Sequence, residues 1–153
     1  MPYSIKNTEF MLEALSLARL AASNGDVPVG CVIVRDGKII SVGYNRRQSD
    51  NNAVAHAETE AITSACRFLG GWRLPRCTMF VTLEPCPMCA GAIINARIPE
   101  VYIAAHDFKS GAFGSVLNLC NYPLNHRPKI HYGLLENESV VLLRSFFLKL
   151  RNN

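Results

Sequence analysis

The chain has 153 residues, of which 49% are hydrophobic and 18% charged, with a formal net charge of +4. That is length enough for one domain with a real core, and the balance excludes a disordered chain. No run of about 18 apolar residues exists to span a membrane, the opening MPYSIKNTEF has no apolar signal core, and the mild basicity permits a polyanionic partner without demanding one. The expectation is therefore a cytoplasmic protein without a membrane partner, organised as a single domain over 1–153, with its thiols reduced.

In chain order, residues 8–23 carry apolar side chains at helical spacing, with Asn7 or Thr8 able to cap the start and Asn24-Gly25 to stop it. PVGCVIVRDGKIISVGYN reads as two β runs around Asp36-Gly37, a strong hairpin signal. A second helix is expected over 56–69, closed by Gly70-Gly71, then a strand in CTMFVTLE and a third helix over about 87–96. EVYIAA reads as a fourth strand. HDFKSGAFGSVLNLCNYPLNHRP is irregular and the natural place for substrate loops. KIHYGLL is a candidate fifth strand, and NESVVLLRSFFLKLR a final amphipathic helix. Two strands joined through a helix favour parallel neighbours. The order predicts a three-layer α/β/α sandwich on a mixed five-stranded sheet, with ligands at strand carboxyl ends and helix amino ends.

Six cysteines stand at 31, 66, 77, 86, 89 and 120. Four lie singly in apolar surroundings and read as small buried hydrophobes. Cys86 and Cys89 form a pair in LEPCPMC. Pro85 ends the strand and Pro87 suits the first helical position, where no N–H is needed. A spacing of three puts both sulfurs on one side of the first turn, where the positive helix end favours thiolates. A metal fits this geometry, and so does a redox couple. His56 opens the other helix, with Glu58 two residues on. A histidine there is ordinarily a cap or a core residue. One imidazole and two thiolates make three zinc ligands, the number that leaves a position open in catalytic sites, whereas structural sites take a fourth protein ligand. Glu58 has a bland role available too, as a first-turn carboxylate facing the helix dipole. Beyond the helix end it can instead meet a water at the metal and act as acid and base.

H-A-E at 56–58 followed by P-C-P-M-C at 85–89 is the signature of zinc nucleobase deaminases, so the chemistry that follows is known from that group. The chain further resembles the bacterial tRNA adenosine deaminases, a branch of the cytidine/deoxycytidylate deaminase superfamily. The matching pieces are DVPVGCVIV, GYNRRQ, AHAE, TLEPCPMCAGAI, DFKSGAFGS, the NH at 125–126 and the terminal SFFLKLR, which together cover nearly the whole chain. The stretch 107–115 is the most discriminating of them. The resemblance implies a cytidine deaminase-like fold and one Zn2+ per chain on His56, Cys86 and Cys89. It implies Glu58 as proton shuttle, a homodimer, and conversion of adenosine to inosine at the wobble position of a tRNA anticodon stem-loop. It also implies that Asn45 holds the purine ring, although a strand-end turn is the plainer role for that residue. Glu60 stands where the family usually has an uncharged residue. Arg46, Arg47, Lys109, Lys149 and Arg151 are candidates for phosphate, and Phe146 or Phe147 for stacking, with one of the two expected in the core. Asp107 either opens the KSG bend or accepts a hydrogen bond from a ribose 2′-hydroxyl. The shared signature also allows a deaminase of free guanine or, second to it, of cytosine or cytidine. An inactive partner subunit would ordinarily have lost the carboxylate that Glu58 supplies.

Overall fold

A computed structural model describes residues 3–153. The sheet has the order β2-β1-β3-β4-β5. Its hairpin, β1 (Gly30–Arg35) and β2 (Lys38–Tyr44), turns through Asp36 and Gly37, both at positive φ (51° and 77°). That is the primed turn whose twist matches antiparallel strands. β1 also pairs antiparallel with β3 (Cys77–Leu83), while β3 to β4 (Glu100–Ala105) and β4 to β5 (Lys129–Tyr132) are parallel.

Alternation along the strands divides the core into two layers. Ile33, Met79, Val81, Val101 and Ile103 face one side, under α2 (Ala57–Leu69) and α3 (Pro87–Asn95). Val32, Val34, Phe80 and Ala104 face the other, against Met11 and Ala14 of α1 (Ile5–Ser23); α4 (Glu136–Arg151) lies on this side also. The result is the expected α/β/α sandwich. β1 is buried along nearly its whole length, as a continuous apolar run in a central strand should be.

The first helix begins earlier than the sequence suggested. Ser4, whose hydroxyl accepts the Asn7 N–H at 3.1 Å, is its cap, and Asn7 and Thr8 lie inside the first turns. Of the four lone cysteines, Cys31 and Cys77 are buried, and Cys66 and Cys120 are only half-buried. The irregular stretch contains one turn of 3-10 helix, Leu119–Asn121.

Close packing of α2 on the hairpin locates the functional end. A Cβ placed on Gly43 would stand 2.1 Å from the Ala57 carbonyl oxygen, so only glycine lets the helix start lie on β2. We expect Gly43→Ala to push α2 off the sheet, at a cost of about 1–3 kcal/mol for overpacking. Because Ala57 adjoins His56, zinc content per chain should fall together with the thermal midpoint. Full zinc content at unchanged stability, measured by atomic absorption and calorimetry, would contradict this packing.

Candidate active site

α2 and α3 aim their amino ends at the carboxyl end of β3. His56 precedes α2 in an extended conformation, and its backbone N–H donates to Thr59 Oγ1 at 3.1 Å. Thr59 thus satisfies the backbone N–H of the residue that precedes the helix. The ring meets the thiols: Nδ1 lies 3.8 Å from Cys86 Sγ and 3.5 Å from Cys89 Sγ. Cys86 precedes α3, Pro87 takes its first position, and Cys89 follows on the first turn. All three donor atoms lie within 4.8 Å of one another, and among the described residues no fourth donor joins the group. Tetrahedral zinc, with bonds of about 2.3 Å to sulfur and 2.0–2.1 Å to nitrogen, sets neighbouring donors roughly 3.6–3.8 Å apart, so the group has the right span. A closed four-ligand structural site finds no support here.

The two thiols differ. Cys86 is drawn down to about 4, first by hydrogen bonding with Cys89 and then with His56. Cys89 is pushed up by that same contact and by burial. His56 is raised, chiefly through its hydrogen bond with Cys86. Zinc requires both sulfurs deprotonated, so loading the site releases protons. Glu58, on the first turn of α2, is only 4% exposed, and burial pushes its carboxyl up to about 7. That value suits a group that both takes and returns protons near neutral pH.

His56, Glu58 and Cys86 line a cavity of about 150 Å³ together with Val27, Val29, Asn45, Leu83 and Asp107. This is well below the roughly 300 Å³ where pockets for drug-sized ligands begin, so it admits one planar ring system. Asn45 is held from both ends: Nδ2 donates to the Val27 carbonyl at 3.1 Å and Oδ1 accepts the Arg47 N–H at 3.0 Å. Asp107 does make the expected turn. Oδ1 accepts the N–H groups of Lys109 (3.0 Å) and Ser110 (3.2 Å), and Oδ2 the Ser110 hydroxyl (2.8 Å).

A larger groove of about 870 Å³ opens from this cavity and shares Arg47, Leu83 and Asp107 with it. Lys109, Phe108, Phe147, Arg144 and Arg151 line it. Phe146 lies outside it, half-buried and edge-on to Phe147. Lys149 is exposed and also lies outside it. Arg46 does not line the groove, and it pairs with Glu60 at 2.6 Å and Asp50 at 3.4 Å. Glu60 therefore serves the loop after β2 rather than pairing along its own helix.

Sequence reasoning missed Glu84. It is 2% exposed and sits between β3 and the metal turn. Its Oε1 accepts the Asp107 N–H (3.1 Å) and the Ser115 hydroxyl, and its Oε2 accepts the N–H groups of Phe113 and Ser115, each at 3.1 Å. The carboxylate gathers the 107–115 loop around itself. A Cβ on Gly111 would come within 2.3 Å of Glu84 Cδ, which explains the glycine in KSGAFG.

The raised Glu58 sets a pH dependence. Its carboxyl has a higher pKa folded than unfolded, so the folded chain holds that proton more tightly. The contribution of this group to stability is then fully present below 4.5 and is lost as pH rises towards about 7, where the buried carboxyl ionises. In protein stripped of metal with a chelator, Glu58→Gln should match the native chain near pH 4 and be the more stable of the two above pH 7. Parallel stability curves for the two proteins across that range would contradict a buried, destabilised carboxylate.

Comparison with known proteins agrees with this geometry. The cytidine and deoxycytidylate deaminase zinc-binding region matches residues 4–105. A tRNA-specific adenosine deaminase of Bacillus subtilis (strain 168) is 43% identical, over 93% of this chain and 89% of its own length. One from Agrobacterium fabrum is 44% identical, over 95% and 97%. A solved structure from work on A-to-I editing by tRNA:A34 deaminases superposes with a TM-score of 0.86 at 44% identity, covering 89% of this chain and 99% of that one. With its metal group, its buried carboxylate and these relatives in agreement, the chain belongs to the zinc-binding cytidine and deoxycytidylate deaminase family, in its tRNA-specific adenosine deaminase branch.

Proposed function

We propose that this chain is one deaminase domain that hydrolyses adenosine to inosine at the wobble position of a tRNA anticodon, as a cytoplasmic homodimer with one zinc per chain. The observation that carries the chemistry is the buried Glu58 carboxyl beside His56, Cys86 and Cys89 in a cavity that admits one ring system. Zinc, when bound, supplies the Lewis acidity that makes water nucleophilic near neutral pH. Glu58 moves the protons. It accepts one from the attacking water and delivers it to N1 of the purine as C6 is attacked. It then carries the second to the exocyclic amine, which leaves as ammonia while C6 keeps the oxygen. Asn45, already anchored by its neighbours, retains one amide hydrogen and one oxygen lone pair with which to orient the ring.

A base reaches this cavity only when it is out of any stack, as in an anticodon loop. The adjoining groove supports an RNA partner: it is lined by Arg47, Lys109, Arg144 and Arg151, whose charge suits phosphates, and by Phe147 and the 80%-exposed Phe108, whose rings suit bases. Asp107 shapes the turn at Lys109, and beyond the Ser110 hydroxyl its Oδ2 retains a lone pair that can accept from a ribose 2′-hydroxyl. No helix among the described residues is long and apolar enough to cross a membrane. Val116, Tyr122 and Leu124 are each about half exposed, which supports a covering second copy; a single-chain mass by sedimentation at micromolar concentration would remove the dimer.

A second reading, deamination of free guanine, is favoured by one relative. Guanine deaminase from Bacillus subtilis is 33% identical over 76% of this chain and 85% of that one, with a TM-score of 0.61. The deciding experiment measures ammonia and the deaminated base by mass from a tRNA anticodon stem-loop, free adenosine, guanine and cytidine. Inosine in the stem-loop at the highest kcat/KM is expected, and faster release from guanine would select the other reading. Glu58→Gln should keep zinc and fold and lose roughly 10²–10⁴-fold in turnover, the range for a positioned acid–base group. Normal turnover in that variant would place the proton shuttle elsewhere.

A further inference from the structure

The end of the sheet away from the metal group is basic. Arg35 closes β1, Lys38 opens β2, Arg67 lies in the last turn of α2, Arg73 and Arg76 lie in the connection to β3, and Arg97 follows α3. Asp36 is the acid that answers them, 3.5 Å from Arg76 Nη2 and 4.0 Å from Arg35 Nε. Among the described residues, Arg67, Arg73 and Arg97 make no ion pair with a carboxylate. Like charges gathered this way repel one another, and a polyanion relieves the repulsion.

Trp72, the one tryptophan of the chain, stands 54% exposed in their midst. The loop carrying it is fixed at both sides. Gly70 ends α2 in the left-handed conformation, and fully buried Leu74 donates its N–H to the Ala96 carbonyl at 2.8 Å. The Arg73 guanidinium carbon lies 4.1 Å from the indole centroid, and that of Arg97 lies 5.5 Å away. Stacking uses a guanidinium's face and leaves its N–H edge free to bind oxygen. Arg97 is oriented further by donating to the carbonyls of Ile94 (3.0 Å) and Asn95 (3.1 Å). Trp72, Arg73 and Arg35, with Leu69, Gly71 and Pro75, line an open surface pocket of about 300 Å³.

We propose that this pocket is a second RNA-binding site, which takes an unpaired nucleotide with its base on Trp72 and its phosphate on Arg35 and Arg73. An aromatic platform beside guanidinium groups, with Arg73 in no ion pair among the described residues and Arg35 met by Asp36 only at 4.0 Å, is the chemistry that holds single-stranded nucleic acid without reading its sequence. β3 runs between the two sites, about 20 Å for its six steps, so the nucleotide held here is not a neighbour of the reacting base. The inference rests on the RNA substrate proposed above, and a free mononucleotide offers the same chemistry.

Trp72 reports on its own pocket, because no other indole is present. The zinc-loaded Glu58→Gln protein, which leaves RNA unconverted, would be titrated with tRNA, with an unstructured oligoribonucleotide and with 5′-AMP. Trp72 fluorescence and the anisotropy of labelled RNA would be read together. Both RNAs should change the fluorescence, at affinities that fall with salt, and AMP should do so only at far higher concentration. Adding Arg73→Gln, or Arg35→Gln in its place, should weaken this binding about tenfold and flatten the logarithmic salt slope by roughly 0.7–0.9, the share of one phosphate. Anisotropy that reports RNA binding while Trp72 stays silent overturns the proposal, as does an affinity that neither arginine alters. AMP binding more tightly than RNA overturns it in favour of a small-nucleotide site. Failure of the RNA-substrate reading looks different: the native enzyme then forms no inosine in tRNA, whatever Trp72 reports.

Discussion

The amino ends of α2 and α3 are held side by side, and each carries roughly half a positive elementary charge from its aligned peptide units. Two such ends repel. The groups placed there are anions or their precursors: the Cys86 thiol drawn down to about 4, the Cys89 thiol, and the Glu58 carboxyl. The arrangement that invites a cation-binding set of thiolates is thus also the one that makes two adjacent helix ends tolerable. Burial acts against it. Glu58 sits at a positive helix end and beside His56, yet its carboxyl rises to about 7, so desolvation is the stronger influence. A carboxylate kept dry and near neutrality is what a proton carrier requires. Exposed at the same helix end, it would remain ionised.

Glu84 extends this order to the substrate side. A charged acceptor sealed from water is costly unless every lone pair is used, and hydrogen bonds to charged groups contribute about 1.5–3 kcal/mol each. Here the donors come from residues 107, 113 and 115. Two backbone bonds flank them, from Glu84 N–H to the Ala105 carbonyl and from Ala112 N–H to the Pro85 carbonyl, each 2.9 Å. The Cys86 turn and the 107–115 loop are therefore parts of one rigid piece. Movement of Asp107 or Lys109 relative to Cys86 would have to break bonds to a buried charge.

What the sequence disclosed depended on how local each signal was. The Asp36-Gly37 hairpin, the two helix starts and the Cys86–Cys89 pair were legible because spacing within a turn fixes their geometry, while His56, 30 residues from Cys86, was joined to the pair through the shared motif. The sandwich followed from element order alone. Glu84 was invisible because its partners lie 23 to 31 residues away and are mostly backbone N–H groups, which leave no trace in side-chain pattern. The Arg46–Glu60 pair was hidden for the same reason, its partners being 14 residues apart. The cap of α1 was misplaced because Ser4, Asn7 and Thr8 are all competent caps, and only the hydrogen bond chooses between them.

His56 and Cys86 are 30 residues apart in the chain, with α2 and β3 between them. A metal joining them is a cross-link in the polymer sense. It closes a loop in the chain, and the entropy of that loop is removed from the unfolded ensemble much as a disulfide would remove it, growing only as the logarithm of loop length. Unlike a disulfide, this clasp needs no oxidant and comes undone with acid. The element that makes the chain an enzyme is in this respect also a reversible fastening of its fold, and the concentration of free metal around it becomes a variable of stability as well as of rate.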